Sequence, residues 1–156
     1  TGEEPYTHAM LCKDFLGIEQ GEWDTKILAT DIDTKVLEKA TRGVYARNSV
    51  EQLPQQYVRR FFKQISQEEY RVKDELKREV LFRQLNLMNP LPFKKPIHVV
   101  FIRNVMIYFD EPTKERLLRN IYEKMAPGGY LFIGSTESMS QNNTQFQYVK
   151  PSIYRK

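Results

Sequence analysis

The sequence predicts an α/β domain, a mostly parallel sheet with helices on both faces. Three stretches carry that expectation. "TKILATDID" is an apolar run ending in acids, and it leads without a gap into the helical pattern of "TKVLEKATRG". "IHVVFIRN" reads as a strand and is followed by the amphipathic "DEPTKERLLRNIYEKMAPGG". "YLFIGS" then returns as a further strand. Strands alternating directly with helices point to parallel neighbours joined by helical crossovers. In such sheets ligands bind beyond the carboxyl ends of the strands, so the residues just after each strand are the ones to read for chemistry.

The opening "TGEEPYTHAM" is a glycine, two carboxylates and a proline feeding a helix over 5–16, with Ala9, Leu11, Cys12, Phe15 and Leu16 as its apolar stripe and Gly17 as its stop. A buried strand follows over Ile27 to Thr30, then a helix with Val36, Leu37 and Ala40 inward and Gly43 as a left-handed cap. "LPQQYVRRFFKQ" reads as a short helix. In "YRVKDELKREVLFRQLNL", Tyr70 and Val72 alternate with bases and a strand covers 80–87. After the strand "IHVVFIRN", Asp110 caps a helix with Pro112 in its first turn, Leu117, Leu118, Ile121 and Met125 as its stripe, and Pro-Gly-Gly as its end. "FQYVKPSIYRK" is a terminal hairpin turning at Lys150, Pro151 and Ser152.

The 156 residues, 40% hydrophobic and 28% charged, suit one domain with its own core. No apolar run approaches a membrane span, and the first ten residues lack a signal-peptide pattern, so the chain reads as soluble and cytoplasmic. One cysteine, Cys12, and two separated histidines, His8 and His98, give no cluster at metal-ligand spacing, and no metal is expected. A net charge of +4 and a pI near 9.1 permit an acidic partner, nucleic acid or protein. The bases Arg59, Arg60, Lys63, Arg71, Lys73, Lys77 and Arg78 are interleaved with acids, as on a solvated face.

At the strand ends stand Asp31 and Asp33, then Asn86, then Arg103, Asn104 and Tyr108, then Ser135 and Glu137, and these are expected to converge on one edge. An acid at the end of a strand can accept both hydroxyls of a ribose, in a dinucleotide or in S-adenosylmethionine. For Asp31 or Asp33 alone, a helix-capping role is the equal alternative. A pyrophosphate needs a glycine-rich turn free of acids. Glu3 and Glu4 occupy this turn, which favours a cationic, sulfonium-bearing ligand over NAD.

"TGEEPYT", "ATDIDTKVLEKATRGVY", "FRQLNLM", "FIRNVMIYFD" and "GGYLFIGSTESM", in this order and spacing, resemble the chemotaxis receptor methyltransferases, the CheR family, across essentially the whole chain. The resemblance implies a class I S-adenosylmethionine-dependent methyltransferase, Rossmann-like in fold, that methylates glutamate side chains of bacterial chemoreceptors and releases S-adenosylhomocysteine. It implies Glu4 at the methionine amino end, with Glu3 as second candidate, Asp31 on the ribose, and Asn86 with Leu87 on the adenine side. Arg103 and Asn104 are implied near the sulfonium and Tyr108 beside the transferring methyl. His8 stands where the family usually has an aliphatic residue and is read as a packed side chain.

Family members carry a helical N-terminal domain, a linker and the first, central strand ahead of this loop. By resemblance, 1–156 is therefore a catalytic domain truncated at its N-terminus, with two strands left with open edges and poor folding expected alone. The segment from about 61 to 82 matches the family's small inserted β-subdomain but has no glycine. That predicts an enzyme independent of a receptor C-terminal pentapeptide, whose partner is the helical cytoplasmic region of the receptors, with no nucleic acid and no membrane insertion. Two alternatives stay open. One is a non-catalytic S-adenosylmethionine sensor. The other is a methyltransferase of another protein or of nucleic acid, although the Asn-Pro-Pro-Tyr motif usual in nucleic-acid enzymes is replaced by the run from Asn104 to Tyr108.

Overall fold

The computed structural model describes residues 1–16, 23–137, 139 and 145–156. The expected helix stop at Gly17 lies outside the described residues. The chain divides into two compact units, Thr1–Asn86 and Leu87–Lys156.

In the first unit, helix α1 (Glu3–Leu16) begins on two acids, which suit the positive end of the helix dipole. Its buried residues are Tyr6, Ala9 and Met10, spaced i, i+3 and i+4, and α1 packs against parts of the unit described below. Leu11 and Phe15, expected inward, are exposed, because the buried face of the helix is the one that carries Tyr6, Ala9 and Met10. Strand β1 (Ile27–Asp31) leads into α2 (Thr34–Arg42), which ends on Gly43 at φ 59°, the left-handed cap expected there. Tyr6 Oη donates to the Ala40 carbonyl of α2 at 3.0 Å, and burial pushes its pKa up to about 12.

Next come β2 (Val44–Ala46), the single turn α3 (Arg47–Val50), α4 (Gln55–Phe61), β3 (Phe62–Gln64) and β4 (Glu69–Val72). These three strands form an antiparallel sheet in the order β2-β4-β3. It draws β2 from ahead of the 61–82 segment. Its inward residues Tyr45, Phe62 and Val72 are buried beside Phe61 and Leu76, both at 0% exposure, so Phe61→Ala would cost about 3–5 kcal/mol. A helical turn not read from the sequence, α5 (Asp74–Lys77), follows, because the Lys73 carbonyl accepts from Leu76 and Lys77 as Leu76 enters this core.

Strand β5 (Val80–Gln84) ends three residues short of the expected 80–87 and pairs in parallel with β1, from Ile27 against Val80 to Asp31 against Gln84. Helix α1 contacts α5, β1 and β5. Glu79, at the entry to β5, bridges Lys13 of α1 at 3.4 Å and Lys26 at 3.1 Å. The Leu28–Leu81 pair of the β1-β5 sheet is exposed.

In the second unit, β6 (Ile97–Ile102), β7 (Met125–Ile133), β8 (Gln147–Lys150) and β9 (Ile153–Arg155) make a sheet in the order β6-β7-β9-β8. The β6-β7 pair is parallel and the other two are antiparallel. Helix α6 (Glu111–Lys124) crosses between β6 and β7 and buries Leu117, Leu118 and Ile121. Asp110 caps it by accepting from Thr113 N at 3.0 Å. The helix stops before the Pro-Gly-Gly signal, since Met125 pairs with Ile97 and is already extended. The terminal hairpin turns where expected, with Ser152 at φ 62°. Lys156 Nζ donates to the carbonyls of Tyr122 and Met125 and so pins the end of α6. The parallel pairing is thus shared between two sheets, in which β1 and β6 each stand at an edge.

Candidate functional site

In the first unit the chain turns sharply at the carboxyl end of β1. Asp31 is half-buried there, and its Oδ1 accepts from Asp33 N at 2.9 Å. Asp33 in turn accepts from Lys35 N at 2.8 Å as the N-cap of α2. The two acids are thereby separated in role. Asp33 is spent on the helix, whereas one oxygen of Asp31 shapes the turn and its carboxylate keeps further acceptor capacity. Across the pair, Gln84 Nε2 donates to the Ile32 carbonyl at 3.0 Å, and Leu85 N donates to the Asp31 carbonyl at 3.0 Å. Asn86, half-buried, follows two residues beyond the end of β5.

Just ahead of α1 in the same unit, Gly2 takes φ 101° and is buried, with Tyr45 Oη donating to the Thr1 carbonyl at 3.1 Å. Burial raises the Tyr45 hydroxyl pKa further than any charge near it, so the group stays a neutral donor. Glu3 is exposed and Glu4 half-buried on the first turn of α1. His8 Nε2 lies 3.8 Å from Glu4 Oε1, one helical turn on, so His8 is a partly packed neighbour of a candidate ligand-binding acid. An acidic first turn suits a cationic ligand group and repels a phosphate.

In the second unit Leu87 is half-buried. The turn after β6 carries Arg103 and Asn104, both exposed, then a 3₁₀ turn over Met106–Tyr108 that leaves the Tyr108 side chain 79% exposed. Asn104 sits in the left-handed region at φ 58°. This turn is held by Glu137. One carboxylate oxygen accepts from Gly134 N at 2.7 Å and Asn104 N at 3.0 Å, and the other from Val105 N at 3.1 Å and Met106 N at 2.8 Å. Partial burial pushes the Glu137 carboxyl upward, but these four amides outweigh it and hold it below the ordinary glutamate range.

Where the structure places Asp31 and Asn86 in one unit and Arg103, Asn104 and Tyr108 in the other, the strand-end reading expects all of them on one edge. That reading names Glu137 as a strand-end acid but gives it no role. The available signal is a glycine at the end of a strand with an acid three residues on, and that pattern does not say which amides the acid will reach. Among the described residues, no three His, Cys, Asp or Glu side chains form a metal-binding group, and no helix is long and apolar enough to cross a membrane.

A family model described as "CheR methyltransferase, SAM binding domain" matches residues 1–155. A "Chemotaxis protein methyltransferase" of Borreliella burgdorferi is 38% identical over 157 residues, which cover 100% of this chain and 55% of that protein. Proteins of the same name from Escherichia coli strain K12 and from Klebsiella aerogenes are 40% and 41% identical over 99% of this chain, and each is covered to 54% of its length. The chain thus spans about half the length of these relatives.

Proposed function

The chain belongs to the CheR methyltransferase family, matching its S-adenosylmethionine-binding domain, and on that premise we propose that it transfers a methyl group from S-adenosylmethionine to glutamate carboxylates of bacterial chemoreceptors. The observation that carries this reading is the match over 1–155 to a domain defined by that donor. The acidic turn at Glu3 and Glu4 and the spare acceptor capacity of Asp31 suit the donor's amino group and ribose. When bound, the donor supplies an electrophilic methyl on a sulfonium.

The residue roles proposed are those that the family resemblance implies. Asp31 accepts from the ribose hydroxyls, Glu4 from the methionine amino end, and Asn86 and Leu87 line the adenine side. Arg103 and Asn104 line the sulfonium end. Tyr108, whose side chain is exposed, orients the acceptor carboxylate. A glutamate has an unperturbed pKa of about 4.3, so at neutral pH it is already the nucleophile and needs no general base. What remains is alignment of oxygen, carbon and sulfur, worth on the order of 7 kcal/mol in favourable cases. The products are a glutamyl methyl ester and S-adenosylhomocysteine.

The small sheet β2-β4-β3 is proposed as the inserted subdomain, and its glycine-free β3-β4 hairpin as one that does not take up a receptor pentapeptide. Recognition then falls to the helical cytoplasmic region of the receptor, and the protein acts in the cytoplasm. The test is transfer of labelled methyl to receptors by the natural protein that carries this chain, scored as base-labile ester with the receptor tail present and deleted. Transfer that survives tail deletion is the expected result. Asp31→Ala should weaken S-adenosylhomocysteine binding by calorimetry about 10- to 100-fold, the worth of hydrogen bonds to a charged acceptor. Unchanged affinity would remove Asp31 from the ribose.

A further inference from the structure

We infer that Glu137 is a positioning residue for methyl transfer: its carboxylate fills an anion-binding nest of backbone amides at Asn104, Val105 and Met106, and so fixes the turn that presents Tyr108. This rests on the methyltransferase reading above.

The nest is visible in the backbone. Asn104 is left-handed at φ 58° and Val105 right-handed at φ −117° and ψ −45°. That alternation aims successive N–H groups to one side, a concavity that elsewhere takes a free anion. Here the anion belongs to the chain itself. Glu137 accepts from all three amides and from Gly134 within 2.7–3.1 Å. Two hydrogen bonds on each oxygen use the carboxylate's acceptor sites, so Glu137 is not available as a base. Tyr108 stands one step further on. Its N–H donates to the Val105 carbonyl at 3.2 Å, and Phe109 N donates to the Met106 carbonyl at 3.0 Å, so the turn that carries Tyr108 is built on the clamped residues.

Gly134 is part of the same device. A Cβ there would lie 2.6 Å from Glu137 Oε2 and 2.8 Å from Asn104 Oδ1, so a side chain at this position would displace the carboxylate from its seat. Glutamine at 137 has the right shape but one acceptor oxygen. Its amide would turn N–H groups toward N–H groups at two of the four contacts.

The experiment is a double-mutant cycle in the natural protein, with Glu137→Gln and Tyr108→Phe singly and together, read as turnover at saturating donor and as donor KM. Amide hydrogen exchange at 104–106 is followed in parallel. E137Q is expected to lower turnover roughly 100-fold, as misplacement of a reacting group by about 1 Å can do, with a smaller change in donor KM and faster exchange at the three amides. In the Y108F background the same change should cost only a few-fold, because the group it places is gone. Equal fold-losses in both backgrounds, wild-type turnover in E137Q, or wild-type turnover in Y108F would each overturn the inference.

If E137Q does not fold, Gly134→Ala decides by the same cycle, since it keeps the charge and displaces the carboxylate by one methyl. A wild-type protein that transfers no methyl to any receptor overturns the methyltransferase reading. An active wild type with additive losses overturns the positioning role alone.

Discussion

Two carboxylates shape strand-end turns in this chain, Asp31 after β1 and Glu137 for the turn after β6, and they reach their amides over very different distances in sequence. Asp31 bonds the amide two residues on. Glu137 bonds amides 31 to 33 residues behind it, together with that of Gly134. The near contact forms as soon as the strand ends, whereas the far one requires β6 and β7 to be paired first. A turn of the first kind costs little to hold and leaves its acid available to a ligand. A turn of the second kind is fixed by the sheet itself, and its acid is consumed.

The sharpest way to break this contrast is Glu137→Ala. It strips the acceptor from four amides, of which those of Met106 and Gly134 belong to buried residues, and should cost about 2–4 kcal/mol in denaturant unfolding. Loss below about 1 kcal/mol would mean that water replaces the clamp freely. The same interaction carries a pH signature. Its folded pKa is depressed, so its stabilisation is complete above the unfolded glutamate value near 4.3 and fades as pH falls through the lower folded value. Between pH 5 and 3 the wild type should therefore lose more stability than E137Q, which has no carboxylate to protonate, and parallel curves would contradict the assignment.

A smaller effect is expected from Asp33→Ala, about 1 kcal/mol for a helix cap that satisfies one exposed amide of α2. The smallest belongs to Asp31→Ala. Only one exposed hydrogen bond is lost, so stability should fall by about 0.5 kcal/mol while donor affinity falls far more. An Asp31→Ala loss as large as that of Glu137→Ala would erase the distinction between a ligand-facing acid and a structural one.

The sequence by itself determined whatever depends on neighbours in the chain. The cap at Asp110, the left-handed stop at Gly43, the hairpin at Ser152 and the strand-helix successions follow from residues a few positions apart, where backbone propensity and short side chains decide. The acids at the end of β1 were legible as a pair, and the short-range hydrogen bonds divide them into a cap, Asp33, and a turn, Asp31. Tertiary structure decided the rest. Leu11 and Phe15 read as core by spacing but lie outside, because burial depends on which face meets β1, β5 and α5. Met125 left the helix because Ile97 offered a strand partner. Glu137 became the clamp of the Asn104–Tyr108 turn because parallel pairing of β6 with β7 brings the ends of the two strands side by side. No local pattern encodes that meeting, since its hydrogen bonds join residues that only the sheet makes neighbours.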